Sequence, residues 1–419
     1  MASFSFGDGN AKKLLAIPLY GAGRALTLLV PRARGTWVFG SAAGIADGAL
    51  ALWDETAARG HRAVWLIRTD AQARDAASRA IPYVRADSLR GLWLTARAEV
   101  VVVTHGFGDV NRYAVAGSYL VQLWHGIPLK RIGIDSPETV RSSFLPSSRL
   151  VRRLLAFMYR SATRRIRLLP AASHLVRGRL ESAFSLDDSR VPVVGEPRVD
   201  VLSRGSATER RESARRRLEE VLGPLGDDRL VLYAPTWRDG DEDPAIPAEA
   251  DWHRITALLD THGARLIVRP HPLGAGEYAP PEGAQRVHLL GSDRLSDVTP
   301  VLPGLDLLVT DYSSLAYDSS LVPLPVVYFA PDVDAYARRR GFYGTYADVA
   351  GTDVAVDWAG ALAQIAAVLA DDDVRHERLE QARRLDAVVH AYRDGRNAER
   401  VYLAIAAAIG GDDRREETA

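Results

Sequence analysis

The sequence predicts an α/β protein built from two doubly wound, parallel-sheet halves. Three observations carry this. The chain has 419 residues, 47% apolar and 25% charged, ordinary for a globular protein but long for one domain. Short apolar, β-branched runs alternate with helical stretches. The alternation occurs twice, on either side of a seam near Gly195 to Asp200. In the first series Trp37 to Gly40 reads as a strand, Gly48 to Arg59 as the helix after it, and Ala63 to Arg68 and Val100 to Thr104 as further strands. Past the seam comes a charged helix, Thr208 to Leu222. The second series follows, with strands at Arg229 to Tyr233, Ala264 to Val268, Leu305 to Thr310 and Pro325 to Phe329, and a helical stretch at Trp252 to Thr261. Asp239 to Asp251, rich in acid, Pro and Ala, reads as a surface loop. Gly410-Gly411 and the charge run Asp412 to Glu417 read as a solvated tail. The organisation expected is a basic, apolar segment over 1–35, a first lobe over 36–195, a second over 196–405 and a tail over 406–419.

Composition narrows the chemistry. Lys+Arg and Asp+Glu both number 53, so global charge makes no case for a nucleic-acid partner, and none is expected. With no cysteine there is no disulfide, thiolate zinc site or cysteine nucleophile. The apolar stretch Leu14 to Val30 is broken by Pro18, Gly21, Gly23 and Arg24, short of the ~20 residues a spanning helix needs. Lys12 and Lys13 precede an apolar run, but no A-x-A-like cleavage site follows, and the expectation is a cytoplasmic protein.

One region departs from neutrality. Thr139 to Leu180 holds ten Arg and no Asp or Glu. At helical spacing Leu155, Met158, Ala162, Ile166 and Leu169 share one face, with Arg153, Arg160, Arg164 and Arg167 opposite. Such a helix can dock on an anionic membrane surface. The plainer reading is a domain-surface helix with solvated arginines.

Ligands of open α/β sheets bind outside the carboxyl ends of the strands. Four segments stand out there. Leu120 to Gly133 (LVQLWHGIPLKRIG) presents His125 beside Gly126, where a neutral imidazole can accept a proton from an attacking hydroxyl. A lone histidine is more often a structural group. Tyr233 to Asp239 (YAPTWRD) offers the Thr236 hydroxyl and the Arg238 guanidinium, donors that suit phosphate. Leu266 to Pro272 (LIVRPHP) fixes Arg269 and His271 between prolines, as a site or as a turn. Leu305 to Asp318 (LDLLVTDYSSLAYD) delivers Ser313 and Ser314 to a helix start, where hydroxyls and free N–H groups hold an anion or simply cap the helix.

Together these residues resemble the CDP-glycerol glycerophosphotransferase family, the teichoic-acid primases and polymerases. The resemblance rests on Trp124-His125-Gly126-x-Pro128-Leu129-Lys130-x-Ile132-Gly133, Gly195-x-Pro197-Arg198-x-Asp200, Tyr233-Ala234-Pro235-Thr236-x-Arg238, His271-Pro272, and Thr310-Asp311-Tyr312-Ser313-Ser314 with Asp318. Asp332-x-Asp334-x-Tyr336, Arg340-Gly341-Phe342-Tyr343 and Asp394-Gly395-Arg396 extend it, over roughly Val100 to Ile405. Gly40 to Gly48 looks like the family's first strand-to-helix loop.

The resemblance implies a glycosyltransferase-B-like fold of two Rossmann-like lobes with the active site in the cleft between them. It implies transfer of polyol phosphate, glycerol phosphate first among them, from a CDP-polyol to a hydroxyl of a polyprenyl-diphosphate-linked acceptor, releasing CMP. On that reading His125 is the base and His271 a donor to the diphosphate, the two catalytic candidates. Ser313 and Ser314 are phosphate contacts, with Arg238, Thr236 and Lys130 in second rank, Asp318 facing the polyol or orienting its helix, and Asp311 structural. No metal or other cofactor is expected to be obligatory. The lipid-linked acceptor implies a peripheral position on the inner face of the membrane, which Arg153, Arg160, Arg164 and Arg167, helped by Ala11 to Arg34, would serve. Three alternatives stand beside this: a sugar transferase of the same architecture, a polymerase using another CDP-polyol such as ribitol or mannitol, and a non-catalytic binding protein.

Overall fold

The computed structural model describes residues 17–140, 148–238, 242–271 and 278–416. The chain divides into two units: the first comprises Met1–His125, Arg131–Asp200 and Asp394–Ala419, the second Gly126–Lys130 and Val201–Arg393.

The first unit opens on α1 (Ile17–Leu29), then β1 (Ala33–Gly40), α2 (Asp47–Ala58), β2 (Arg62–Ile67), α3 (Asp70–Ser78), β3 (Tyr83–Arg85), α4 (Leu89–Arg97), β4 (Ala98–Val103) and β5 (Tyr119–Gln122). After the crossing at Gly126–Lys130 it resumes with α5 (Arg149–Thr163), β6 (Ile166–Leu168) and α6 (His174–Phe184). The strands form one sheet in the order β3-β2-β1-β4-β5-β6, every pairing parallel. One face of it buries Trp37, Phe39, Val100, Val102 and Val121 against Trp53 of α2, with Phe39 and Trp53 edge to face at 5.2 Å. Strand order reverses between β1 and β4, which makes their carboxyl ends the switch point.

The second unit runs α7 (Ala207–Leu222), β7 (Arg229–Ala234), α8 (Glu249–His262), β8 (Ala264–Val268), β9 (Val287–Leu289), β10 (Leu307–Thr310), α9 (Leu315–Ser320), β11 (Val326–Tyr328), α10 (Val333–Arg340), α11 (Ala347–Ala350), α12 (Trp358–Ala370) and α13 (Asp372–Val389). A capping box starts α7, Ser206 accepting from Glu209 N at 3.2 Å while Glu209 accepts from Ser206 N at 2.8 Å. Its parallel sheet has the order β11-β10-β7-β8-β9, reversing between β7 and β10. The Thr310 hydroxyl spans that point to the Ala234 carbonyl at 2.7 Å.

The last helix, α14 (Asn397–Glu416), corrects the expected boundaries, because it packs in the first unit and contributes Val401, Tyr402 and Ile405 to that core. Its N-terminus is seized by the seam motif: the buried Asp200 carboxylate accepts from Asn397 N at 2.9 Å and Ala398 N at 2.8 Å. Gly195 has φ +79°, and a Cβ there would fall 2.1 Å from Asn397 Oδ1, so the motif needs glycine at this place. The backbone of 412–416, expected as tail, continues α14, and 417–419 lie outside the described residues.

Two other expectations change. Asp243 and Ala245, expected in a surface loop, are buried, with Asp243 accepting from the Tyr278 hydroxyl and Ala245 inside the second core. The basic helix ends at Thr163, because Ile166-Arg167-Leu168 alternates buried, exposed, buried as β6. Arg167 is therefore on a strand, and Arg164 caps α5. No helix among the described residues is long and apolar enough to cross a membrane.

Candidate active site

In the first unit, two adjacent strands end in the same way. β4 runs into Thr104-His105-Gly106 and β5 into Leu123-Trp124-His125. The imidazoles of His105 and His125 stack, with centroids 4.2 Å apart and planes within 3°. The Trp124 ring lies 4.2 Å from His125 and meets Phe184 edge to face at 5.1 Å. To present this pair Trp124 adopts φ +62°, a strained value for a non-glycine residue. His125 Nδ1 lies 3.4 Å from the Thr104 carbonyl. A carbonyl only accepts, so Nδ1 carries the proton and Nε2 the lone pair.

The loop beneath is fixed by the buried Asp109, whose Oδ2 accepts from the N–H of Thr104, His105 and Gly106 at 3.0, 2.7 and 3.2 Å. On the β1 side, Arg198 of the seam motif meets Asp47 at 3.0 Å, at the start of α2. His105 escaped the sequence reading. Its signal was the repeat itself, an apolar strand end followed by His-Gly, present at both 105 and 125.

In the second unit, the ends of β7, β8 and β10 carry the remaining candidates. His271 is exposed and stacks on Trp237, centroids 5.5 Å apart and planes within 13°. Arg269 instead anchors the turn, donating to the carbonyls of Leu290, Gly291, Leu295 and Ser296. Ser313 and Ser314 are half-buried at the start of α9, with Ser313 Oγ accepting from Leu315 N at 3.2 Å. Thr236 N donates to both oxygens of Asp311 at 3.0 and 3.1 Å, which ties β7 to β10 as expected of a structural Asp311. Lys130, carried into this unit by the Gly126–Lys130 crossing, bridges to Phe342 and reaches the Tyr336 hydroxyl at 3.4 Å.

Arg238, expected as a second-rank phosphate contact, sits inside the protein scaffold. It is 4% exposed and its donors are taken: Asp311 at 2.7 Å, Asp332 through Nε at 2.8 Å and Nη2 at 3.0 Å, and the Thr236 carbonyl. Burial works against its charge, but Asp311, Asp243 and Asp332 outweigh burial and raise its pKa. The guanidinium also covers the Tyr312 ring at 5.0 Å, and Tyr312 stacks on Tyr336 at 4.0 Å and donates to Asp332 at 2.8 Å. The motifs around Arg238, Asp311, Asp332 and Tyr336 are thus one buried scaffold. Beside it lies a pocket of about 380 Å3 lined by Arg238, Asp332, Tyr336, Arg339 and Arg340 among others. Asp318, expected either to face the polyol or to orient its helix, is wholly buried in α9. Pro272 and Asp239 lie outside the described residues. Among the described residues, no three His, Asp or Glu cluster in a way that could hold a metal ion.

On the helix surface, Leu155, Tyr159 and Thr163 of α5 face inward, while Leu150, Leu154 and Phe157 are 77%, 52% and 65% exposed. They share the solvent side with Arg153 and Arg160, and Arg164 and Arg167 are exposed beyond the helix end. Leu19, Leu28 and Leu29 of α1 are exposed as well.

Comparison with known proteins places these arrangements. The profile of the family described as CDP-Glycerol:Poly(glycerophosphate) glycerophosphotransferase matches residues 25–407. The teichoic acid poly(glycerol phosphate) polymerase of Bacillus subtilis is 29% identical over 271 residues, 63% of this chain and 34% of that protein, so the chain spans about a third of this relative's length. A teichoic acid poly(ribitol-phosphate) polymerase of Bacillus spizizenii is 26% identical over 294 residues, 67% of this chain and 42% of that protein. The solved wall teichoic acid polymerase TagF matches with a TM-score of 0.77 at 21% identity, covering 96% of this chain and 97% of that one. A variant of the same polymerase soaked with CDPG matches at 0.74 and 21% identity, covering 98% of each chain. The fold is thus shared with a two-lobed, glycosyltransferase-B-like protein.

Proposed function

Since the chain belongs to the CDP-glycerol:poly(glycerophosphate) glycerophosphotransferase family, whose profile matches residues 25–407, we propose that it transfers polyol phosphate, glycerol phosphate foremost, from a CDP-polyol to a hydroxyl of a polyprenyl-diphosphate-linked acceptor. The observation that carries the chemistry is the placement of His125 just past β5 with Nδ1 3.4 Å from the Thr104 carbonyl, an arrangement in which Nδ1–H donates and Nε2 of the neutral ring accepts a proton. His125 takes the proton of the acceptor hydroxyl as its oxygen attacks the β-phosphorus. The bond from that phosphorus to the bridging oxygen breaks, and CMP departs. His271, held flat on Trp237 at 5.5 Å, donates to the diphosphate, and the Ser313 and Ser314 hydroxyls donate to its non-bridging oxygens. Lys130, beside the Tyr336 hydroxyl, adds positive charge to the second unit, and Thr236 holds the β7 turn through Asp311. Protein groups stand in for a metal, so no cofactor is obligatory on this reading.

Ser313→Ala with Ser314→Ala is expected to raise the KM for the CDP donor several-fold with little change in kcat. The phosphate oxygens are charged before reaction, and contacts to them bind ground state and transition state alike. An unchanged KM would leave the two serines as caps of α9 only.

The acceptor is lipid-borne, and the surface of α5 suits that. Exposed Leu150, Leu154 and Phe157 lie beside Arg153 and Arg160, an apolar and cationic surface that fits an anionic leaflet and supports a peripheral position on the inner face of the membrane. Changing Arg153, Arg160, Arg164 and Arg167 to Glu is expected to abolish co-sedimentation with anionic liposomes and activity on the lipid acceptor, while activity on a short soluble analogue persists. Equal sedimentation of both proteins would reject the docking surface.

The test of the reaction is a panel of CDP-glycerol, CDP-ribitol, CDP-mannitol and UDP-sugars with a synthetic lipid acceptor in EDTA. CMP release with the product heavier by one glycerol phosphate is expected. UDP release with a hexose added would establish the sugar transferase instead. Ribitol is the second reading, favoured by the similarity to a poly(ribitol-phosphate) polymerase, and the same masses separate it.

A further inference from the structure

The stacked pair at the ends of β4 and β5 holds more than a base. His105 is fixed from several sides. Its Nδ1 lies 2.8 Å from Thr104 Oγ1, which in turn donates to Ser41 Oγ at 2.8 Å. With the hydroxyl proton directed to Ser41, the Thr104 oxygen accepts from His105, so the neutral His105 ring is also protonated at Nδ1. The backbone of residues 104–106 is pinned by Asp109, which receives all three N–H groups. A ring held this firmly, parallel to its neighbour at 4.2 Å, is a platform.

We propose that His105 is a positioning residue for the transfer reaction, its clamped imidazole being the surface that fixes the plane of the His125 ring and so the direction of Nε2. The proposal rests on His125 acting as the base. Its physical content is steric and electrostatic. A face-to-face contact leaves His125 rotation about its χ angles little freedom, and a misplacement of ~1 Å in such a group costs up to ~10²-fold in rate. Two imidazoliums stacked at this distance repel, so the pair carries at most one positive charge. The charged groups facing His105 are Asp109, Asp47, Arg198 and His125. Burial holds His105 below its ordinary pKa, Asp109 and Asp47 oppose that, and Arg198 reinforces it. The proton taken from the acceptor hydroxyl therefore rests on His125, over a neutral partner.

The test uses the full chain and variants that separate ring from hydrogen bond. His105→Asn keeps a donor towards Thr104 but has no ring; His105→Phe keeps a flat ring but no donor. CMP release should fall about 10- to 100-fold in kcat for His105→Asn with the donor KM within about twofold, and His105→Phe should recover most of that loss. In proton spectra the His125 ring resonances should keep their ring-current displacement in His105→Phe and lose it in His105→Asn. In the wild type, the His105 ring should stay in its neutral, Nδ1-protonated form across the pH range in which His125 titrates. Equal losses in both variants, or a loss confined to donor KM, would overturn the proposal, as would His105 titrating before His125. Wild-type turnover in His105→Asn beside an inactive His125→Ala overturns this proposal alone, whereas wild-type turnover in His125→Ala overturns the base assignment and this proposal with it.

Discussion

His125→Ala is expected to lose about 10²- to 10⁴-fold in CMP release, the contribution of a positioned general base, and to keep its circular-dichroism spectrum. The fold should survive because His125 lies beyond the end of β5, half-buried, rather than within the strand pairings that build the sheet. His271→Ala is expected to lose most turnover as well. Its ring is exposed and packs on the Trp237 face, and donors to a diphosphate act most strongly where charge develops as CMP departs. A folded variant of either kind that keeps more than about a tenth of wild-type CMP release contradicts its assignment.

Arg238→Ala is expected to act on stability instead, lowering it by about 3–5 kcal/mol, because removing one partner of a buried ion pair strands the others. The loss of Arg238 leaves Asp311 and Asp332, at the scaffold beside the β7 and β10 ends, without their shared cation. The measurement is the urea midpoint of unfolding at constant slope. A direct phosphate contact would give the opposite pattern, a raised donor KM at unchanged midpoint, and that outcome would restore the role first expected of Arg238.

These two predictions mark where the sequence was legible. The parallel sheets were visible because runs such as Val100 to Val103 and Leu230 to Tyr233 are buried on both faces and so read as continuous apolar stretches. The short edge strand Tyr83–Arg85 carries no such run, and Ile166–Leu168 hides inside an arginine-rich stretch whose spacing also fits a helix. His125 and His271 were legible as polar groups just past strands. The ion-pair network of Arg238 was hidden because sequence shows a cation near a strand end but not the three carboxylates, Asp243, Asp311 and Asp332, that converge on it from distant positions. The burial of Asp318 was hidden for a related reason: helical spacing places it a turn past Ser314 without revealing that α9 is buried along its whole length. The α14 return to the first unit was equally invisible, since the tie between Asp200 and Asn397 joins residues far apart in the chain.

The central claim is that an acceptor oxygen attacks the β-phosphorus of a CDP-polyol, and the path of that phosphorus tests it directly. CDP-glycerol labelled with 32P in the β-position is incubated with the protein and a synthetic lipid acceptor, and nucleotide and lipid products are separated and counted. The account predicts label in the lipid product and unlabelled CMP as the nucleotide. Label recovered in CDP, with glycerol added to the acceptor without phosphorus, would mean that the carbon–oxygen bond is broken and would contradict it.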